Sequence, residues 1–201
     1  MIALFSGFAA GLSLIVAIGA QNAFVIRQGL LRSHVLLVVL FCALSDALLI
    51  VAGVGGLGAI IHSAPRALEF IRWFGVTYLA WFALKTFLQI FTTQSLTPAH
   101  QNSMPRRKVI ASLFAFTYLN PHVYLDTVIF LGSISNQFAS QKWHFALGAS
   151  LASLLWFTVI GFAAQSVSRY MSRAIFWKIF DSFVALVMAA IAIMLATYSF
   201  T

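Results

Sequence analysis

Two carboxylates within apolar sequence are the residues of this chain best suited to chemistry. The 201 residues include only four Asp and Glu, and two of them, Asp46 and Asp126, fall inside long apolar runs with no basic residue nearby in the sequence. A carboxylate at the bilayer centre costs at least about 2.5 kcal/mol on insertion scales, so such residues usually face a bundle interior or a hydrated path. There they would attract a cation or bind a proton. The alternative is a structural Asp, satisfied by hydrogen bonds or by a basic residue on another helix.

The polar residues Asn120-Pro121-His122 interrupt one of the apolar runs. Proline lacks an amide donor, clashes with the carbonyl one turn back and disfavours helical geometry at the residue before it. Backbone groups freed at membrane depth are tolerated only where protein or a water-lined cavity satisfies them, so this break is a candidate binding site. If a helix resumes after Pro121, His122 and Asp126 share a face. The alternative for His122 is that it only satisfies a carbonyl at the kink.

A second, weaker break is predicted at Gly19-Ala20-Gln21-Asn22. Glycine gives the backbone freedom to distort, and the amides of Gln21 and Asn22 can both donate and accept hydrogen bonds. We interpret Asn22 as functional. For Gln21, a structural role as a polar contact between helices is an equal alternative.

Composition requires that these residues be positioned by membrane helices. With 62% hydrophobic and 8% charged residues, the chain lacks the polar surface of a soluble protein. Crossing a hydrocarbon core of about 30 Å takes about 20 helical residues. Six apolar runs are long enough, which predicts an all-α integral membrane protein with spans at Leu4–Ile26, Val35–Ile61, Phe70–Phe91, Val109–Leu131, His144–Val167 and Trp177–Ser199.

The net charge of +8 does not indicate nucleic acid binding, because the basic residues lie between the apolar runs and form no basic stripe. Nine of twelve fall in the segments after spans one, three and five, which predicts that those segments face the cytoplasm and both termini face outside. The single cysteine, Cys42, cannot form a disulfide framework or a zinc site, and we expect it to pack in the core. No cofactor is predicted. No nucleophile and base form a recognisable set, so we do not expect an enzyme.

The polar stretch 92–108 divides the chain into halves, residues 1–91 and 109–201, within a single transporter domain. Each half opens with a broken span, and each third span begins with aromatic and basic residues. Three spans per half is an odd number, so a repeat would be inverted in the membrane. Inverted repeats place substrate sites at the midplane, between the halves.

Three motifs resemble the lysine/arginine exporter family, and the resemblance covers essentially the whole chain: Gly19-Ala20-Gln21-Asn22-Ala23-Phe24-Val25, Leu44-Ser45-Asp46-Ala47-Leu48-Leu49-Ile50 and Tyr118-Leu119-Asn120-Pro121-His122-Val123-Tyr124-Leu125-Asp126-Thr127. That family usually has proline where this chain has Ala20. The resemblance implies a six-span, multi-pass inner-membrane exporter of basic amino acids. It places the positions matching Asn22, Asp46, Asn120 and Asp126 in or near the transport pathway.

Residues and resemblance together predict export of L-lysine or L-arginine, with the two carboxylates compensating the substrate's positive charge and a proton or another cation moving the opposite way. The alternatives are an exporter of neutral amino acids or of a metal cation on the same scaffold, and a membrane subunit that transports nothing. The expected partners are the small-molecule substrate and the lipid bilayer, and a homo-oligomer is left open.

Overall fold

The computed structural model describes residues 1–16, 19–57, 65–92, 104–167 and 174–197, and this part of the chain contains helices and connections but no strand. We number the helices in chain order, and treat as α6 the consecutive helical stretches Pro121–Val123, Tyr124–Phe130 and Leu131–Ser135. The others are α1 (Ile2–Ile15), α2 (Ala20–Leu30), α3 (Val35–Ala52), α4 (Pro65–Thr92), α5 (Arg106–Tyr118), α7 (Lys142–Val167) and α8 (Ala174–Thr197).

The first predicted span is broken into α1 and α2, whose axes are bent by 81°. The break precedes the polar residues, since Gln21 and Asn22 already lie in the first turn of α2. Gly19, just before α2, is extended, with φ −114° and ψ 179°. Any residue can adopt that backbone, so the break does not depend on the glycine-only freedom expected at Gly19.

The fourth predicted span is also broken, as the sequence predicts. Helix α5 ends at Tyr118, and α6 begins at Pro121. Within α6, Tyr124–Phe130 is π-helical, a wider winding that often occurs at functional sites. A second π-helical stretch, Gly53–Leu57, follows α3, and it packs against α6 so closely that a Cβ on Gly53 would lie 2.5 Å from the Val128 carbonyl oxygen.

Helix α7 is the central helix, packed along α1, α2 and α3, while α4 packs along α8. Small residues allow α1 and α7 to approach closely: a Cβ on Gly7 would collide with the Phe145 carbonyl, and one on Gly148 with that of Leu4. Gly7 is thus a residue of close helix packing. Cys42 is fully buried in the main core, also as expected.

Three described helical segments are long and apolar enough to cross a membrane alone, namely Val35–Gly56, Tyr124–Val167 and Lys178–Thr197, and α1 with α2 gives a fourth when this bent pair is counted as one span. The chain is thus an all-α, multi-pass membrane protein. Helix α4 is long enough at 28 residues but is not counted, because it carries four charged residues. Helix α5 is not counted, because the break ends it after 13 residues. Six spans and an inverted repeat of two halves remain predictions.

Several predicted boundaries shift. Residues 58–61 of span two, 198–199 of span six and 93–103 of the dividing stretch lie outside the described residues. Arg106 to Lys108, assigned to the dividing stretch, instead form the first turn of α5. The predicted connection before span five is mostly helical: a 3₁₀ segment, Asn136–Gln141, leads into α7 and is kinked at Ala139, where φ is 45°.

Candidate functional site

A cavity of about 400 Å³ lies where both broken spans meet α3, α7 and α8. This size is within the range of small-molecule pockets, about 300–1,000 Å³. Six of the seven residues singled out in the sequence line it: Gln21, Asn22, Asp46, Asn120, His122 and Asp126. The seventh, Pro121, is the first residue of α6, beside them in the chain. Apolar side chains complete the wall, among them Leu14, Ile15, Phe157, Ile191 and Met194.

Asp46 is the buried carboxylate of the cavity. It lies on α3 and is only 6% exposed. Its Oδ2 accepts a hydrogen bond of 2.7 Å from the hydroxyl of Ser153, which is fully buried on α7. No described Lys or Arg forms a salt bridge with it. Asp46 therefore has a hydrogen-bond partner but no protein cation within the part of the chain that the structure describes.

Asp126 is the more accessible carboxylate, exposed in the isolated chain and located in the π-helical stretch of α6. His122 and Asp126 both contribute to the wall of the same cavity. The cavity thus combines one enclosed and one open carboxylate.

Asn22 ties the first break to the rest of the bundle. Its Nδ2 donates to the Ile15 carbonyl oxygen at 2.7 Å, across the gap between α1 and α2. Its Oδ1 accepts a hydrogen bond of 3.3 Å from Nε1 of Trp156 on α7. Both ends of this amide are engaged by protein, so Asn22 holds the shape of the break at the cavity wall.

Asn120 stabilises the second break through hydrogen bonds. Its Oδ1 accepts a hydrogen bond of 3.1 Å from the His122 backbone N–H, and its carbonyl accepts one from Val123. The Tyr124 hydroxyl donates to the Tyr118 carbonyl at 2.8 Å, which satisfies a carbonyl at the end of α5. The backbone groups that Pro121 was expected to free are thus partly satisfied by neighbouring residues.

The N-terminus of α2 opens at the cavity, where Gly19, Ala20 and Gln21 are part of the lining. No side chain caps this helix end. Gln21 has a buried Nε2 without a hydrogen-bond partner among the described residues. Uncapped N–H groups and the helix dipole make such an end suitable for a carboxylate.

One buried ion pair was not predicted from the sequence. Asp181 lies on α8, inside the predicted sixth span, and its Oδ1 is 3.3 Å from Nη2 of Arg27 on α2. The rule that selected Asp46 and Asp126 required that no basic residue be nearby, and it passed over Asp181 because Lys178 lies three residues before it. Its nearest basic residue in the sequence, Lys178, is exposed, and the partner comes from the other half of the chain.

The chain is similar in sequence to proteins of one transporter family. The family model described as LysE type translocator matches residues 12–199. The chain is 37% identical over 213 residues to the lysine exporter LysE of Corynebacterium diphtheriae, covering 91% of this chain and 93% of that one. It is 41% identical over 197 residues to the arginine exporter ArgO of Salmonella enteritidis, covering 96% and 92%. No solved structure matches the chain significantly.

Proposed function

We propose that this chain, which belongs to the LysE type translocator family, exports L-lysine and L-arginine across the bacterial inner membrane. Members of the family are transporters and not enzymes. Two relatives named as exporters of these amino acids support the substrate class. The observation that carries the proposal is the cavity that joins Asp46 and Asp126 to both helix breaks.

The charges of the cavity suit a basic amino acid. Lysine and arginine carry a cationic side chain and an α-ammonium group, and the cavity offers Asp46 and Asp126 as two carboxylates. A neutral amino acid would leave one of these carboxylates without a substrate cation. Opposite charges in a low-dielectric site attract more strongly than in water, so the pairing favours a doubly cationic ligand.

The substrate α-carboxylate would bind at the N-terminus of α2. The backbone N–H groups of Gln21 and Asn22 lie in the first turn of this uncapped helix, and the Nε2 of Gln21 is a further donor. Half-helix N-termini bind anionic substrate groups in other transporters with broken helices.

Export of a cation needs a driving force, because moving one positive charge against an inside-negative potential costs about 2.3 kcal/mol per 100 mV. We infer antiport with a proton or another cation. Asp46 and Asp126 would hold the substrate cation and, after its release, the coupling ion. The cavity would face the two sides in turn as the halves move against each other.

Uptake of radiolabelled arginine or lysine into everted membrane vesicles tests this function. We expect Asp46→Asn and Asp126→Asn each to lower the initial rate at least about tenfold, because each removes a charge-assisted contact while keeping side-chain size.

The control is Glu69→Gln. Glu69 lies on α4, where Oε1 accepts a hydrogen bond from Nε1 of Trp73, and it is not part of the cavity lining. This variant should transport at the parent rate. Unchanged uptake in both Asp variants would refute the assigned roles. Competition by threonine, homoserine or cadmium, without competition by lysine, would favour the alternative substrates.

A further inference from the structure

The buried ion pair between Arg27 and Asp181 connects the two halves of the chain. Their side chains are only 15% and 6% exposed. Neighbouring apolar side chains, Ile26, Leu30 and Phe180, belong to one small cluster at the same end of α2. The distance between Arg27 Nη2 and Asp181 Oδ1 is 3.3 Å. The pair is therefore a largely buried contact across a helix interface.

This ion pair lies to one side of the cavity. Helix α2 contributes its first turn to the cavity, and Arg27 follows Asn22 by five residues, or about 7.5 Å along the helix. Helix α8 contributes Ile191, which lies ten residues, or about 15 Å, beyond Asp181. The contact thus joins α2 and α8 below the cavity, on the side that loop charge predicts to be cytoplasmic.

We infer that Asp181 is a substrate-binding residue at the cytoplasmic entrance, and that Arg27 competes with the substrate cation for it. The inference rests on the proposed export of basic amino acids. The Arg27 guanidinium occupies Asp181 while the passage between α2 and α8 is closed. The cationic side chain of an incoming lysine or arginine replaces it, which separates α2 from α8 and opens the passage to the cavity.

The reason lies in the cost of separating buried charges. Removing one partner from a buried ion pair leaves an uncompensated charge and is strongly unfavourable. A substrate cation avoids this at Asp181, because it supplies the same kind of charge, and for arginine the same guanidinium group, as Arg27. A neutral amino acid supplies none. Asp181 would therefore select for cations before the substrate reaches Asp46 and Asp126.

Opposite effects of the two neutral substitutions on arginine KM distinguish this role from a purely structural ion pair. The assay is the initial rate of arginine uptake into everted vesicles. Arg27→Gln removes the competitor and should lower KM about tenfold, whereas Asp181→Asn removes the binding group and should raise it about tenfold. If the ion pair were purely structural, both substitutions would break it equally and would affect KM in the same way. Shifts of KM in the same direction, or no shift, would therefore overturn the inference.

The control is Glu69→Gln, which lies on α4 outside both the cavity lining and the ion pair, with KM expected at the parent value. If the parent chain transports no basic amino acid, the proposed function itself is wrong. If it transports arginine but KM fails to shift in opposite directions, only the role of the ion pair is wrong.

A second measurement leaves the pair intact and so does not depend on the stability of its variants. In Ile191→Cys, a thiol on the cavity wall can be alkylated by a membrane-impermeant reagent from the cytoplasmic face of everted vesicles. The native thiol, Cys42, is fully buried, so the parent chain gives the background. Arginine should accelerate alkylation several-fold, and alanine should not. Equal rates with arginine and alanine would contradict the proposed opening.

Discussion

At the scale of single residues, the polar side chains of the cavity divide into two kinds. Asn22 and Asn120 use their amides to hold the two helix breaks, through the Ile15 carbonyl and the His122 backbone N–H. Asp46 and Asp126 have no salt bridge to a described Lys or Arg. The asparagines thus shape the cavity, while the carboxylates supply its charge.

Ser153 is expected to tune Asp46, because its hydroxyl donates directly to Oδ2 at 2.7 Å between two buried side chains. Ser153→Ala removes one hydrogen bond to a charged group but leaves the carboxylate in place. We expect arginine uptake in everted vesicles at limiting substrate to fall about tenfold, less than in Asp46→Asn.

The control for this change is Ser150→Ala on the same helix. The Ser150 hydroxyl donates to the Ala146 carbonyl, a local contact within α7 that does not involve the cavity. Uptake should stay at the parent rate. A loss in Ser150→Ala as large as in Ser153→Ala would indicate a general weakening of α7 instead of an effect on Asp46.

At the scale of helices, the start of α2 explains how the first break forms with alanine at position 20. Ala20 is the first residue of α2, a position where proline is tolerated because no intrahelical hydrogen bond uses its N–H. The preceding Gly19 is extended, the conformation that a following proline prefers. The break is therefore already formed without proline.

Ala20→Pro should consequently preserve folding and arginine uptake, with thermal stability in detergent equal to or above that of the parent. The matched control is Ala23→Pro, because the Ala23 N–H donates to the Gly19 carbonyl at 3.0 Å and the substitution would remove that bond. Ala23→Pro should reduce the yield of folded protein sharply. Similar behaviour of the two variants would show that α2 does not begin where the structure places it.

At the scale of the whole molecule, the features predictable from the sequence are those with local causes. Apolar run length predicts membrane helices, and Pro121 predicts the second break from its own chemistry. The contacts Ser153–Asp46 and Trp156–Asn22 join residues more than 100 positions apart, so they depend on which helices pack together. The pairing of Arg27 with Asp181 could not be read from sequence for the same reason.

The proposed antiport makes a prediction about energetics that concerns the whole molecule. Exchange of one substrate cation for one proton moves no net charge, so it responds to the pH difference and not to the membrane potential. In respiring everted vesicles, whose interior is acidic, arginine should accumulate inside. Nigericin with K⁺ dissipates the pH difference and should abolish accumulation, whereas valinomycin with K⁺ removes the potential and should leave it intact.

Vesicles containing Asp46→Asn are the control, because without that carboxylate no accumulation should occur under either ionophore. Accumulation that survives nigericin would exclude the proton as the coupling ion, and a gradient of another cation would then be tested in its place. Inhibition by valinomycin would contradict electroneutral exchange. Either result would change the coupling ion or the stoichiometry only. The proposal that substrate and coupling ion compete for the two carboxylates of one cavity would stand.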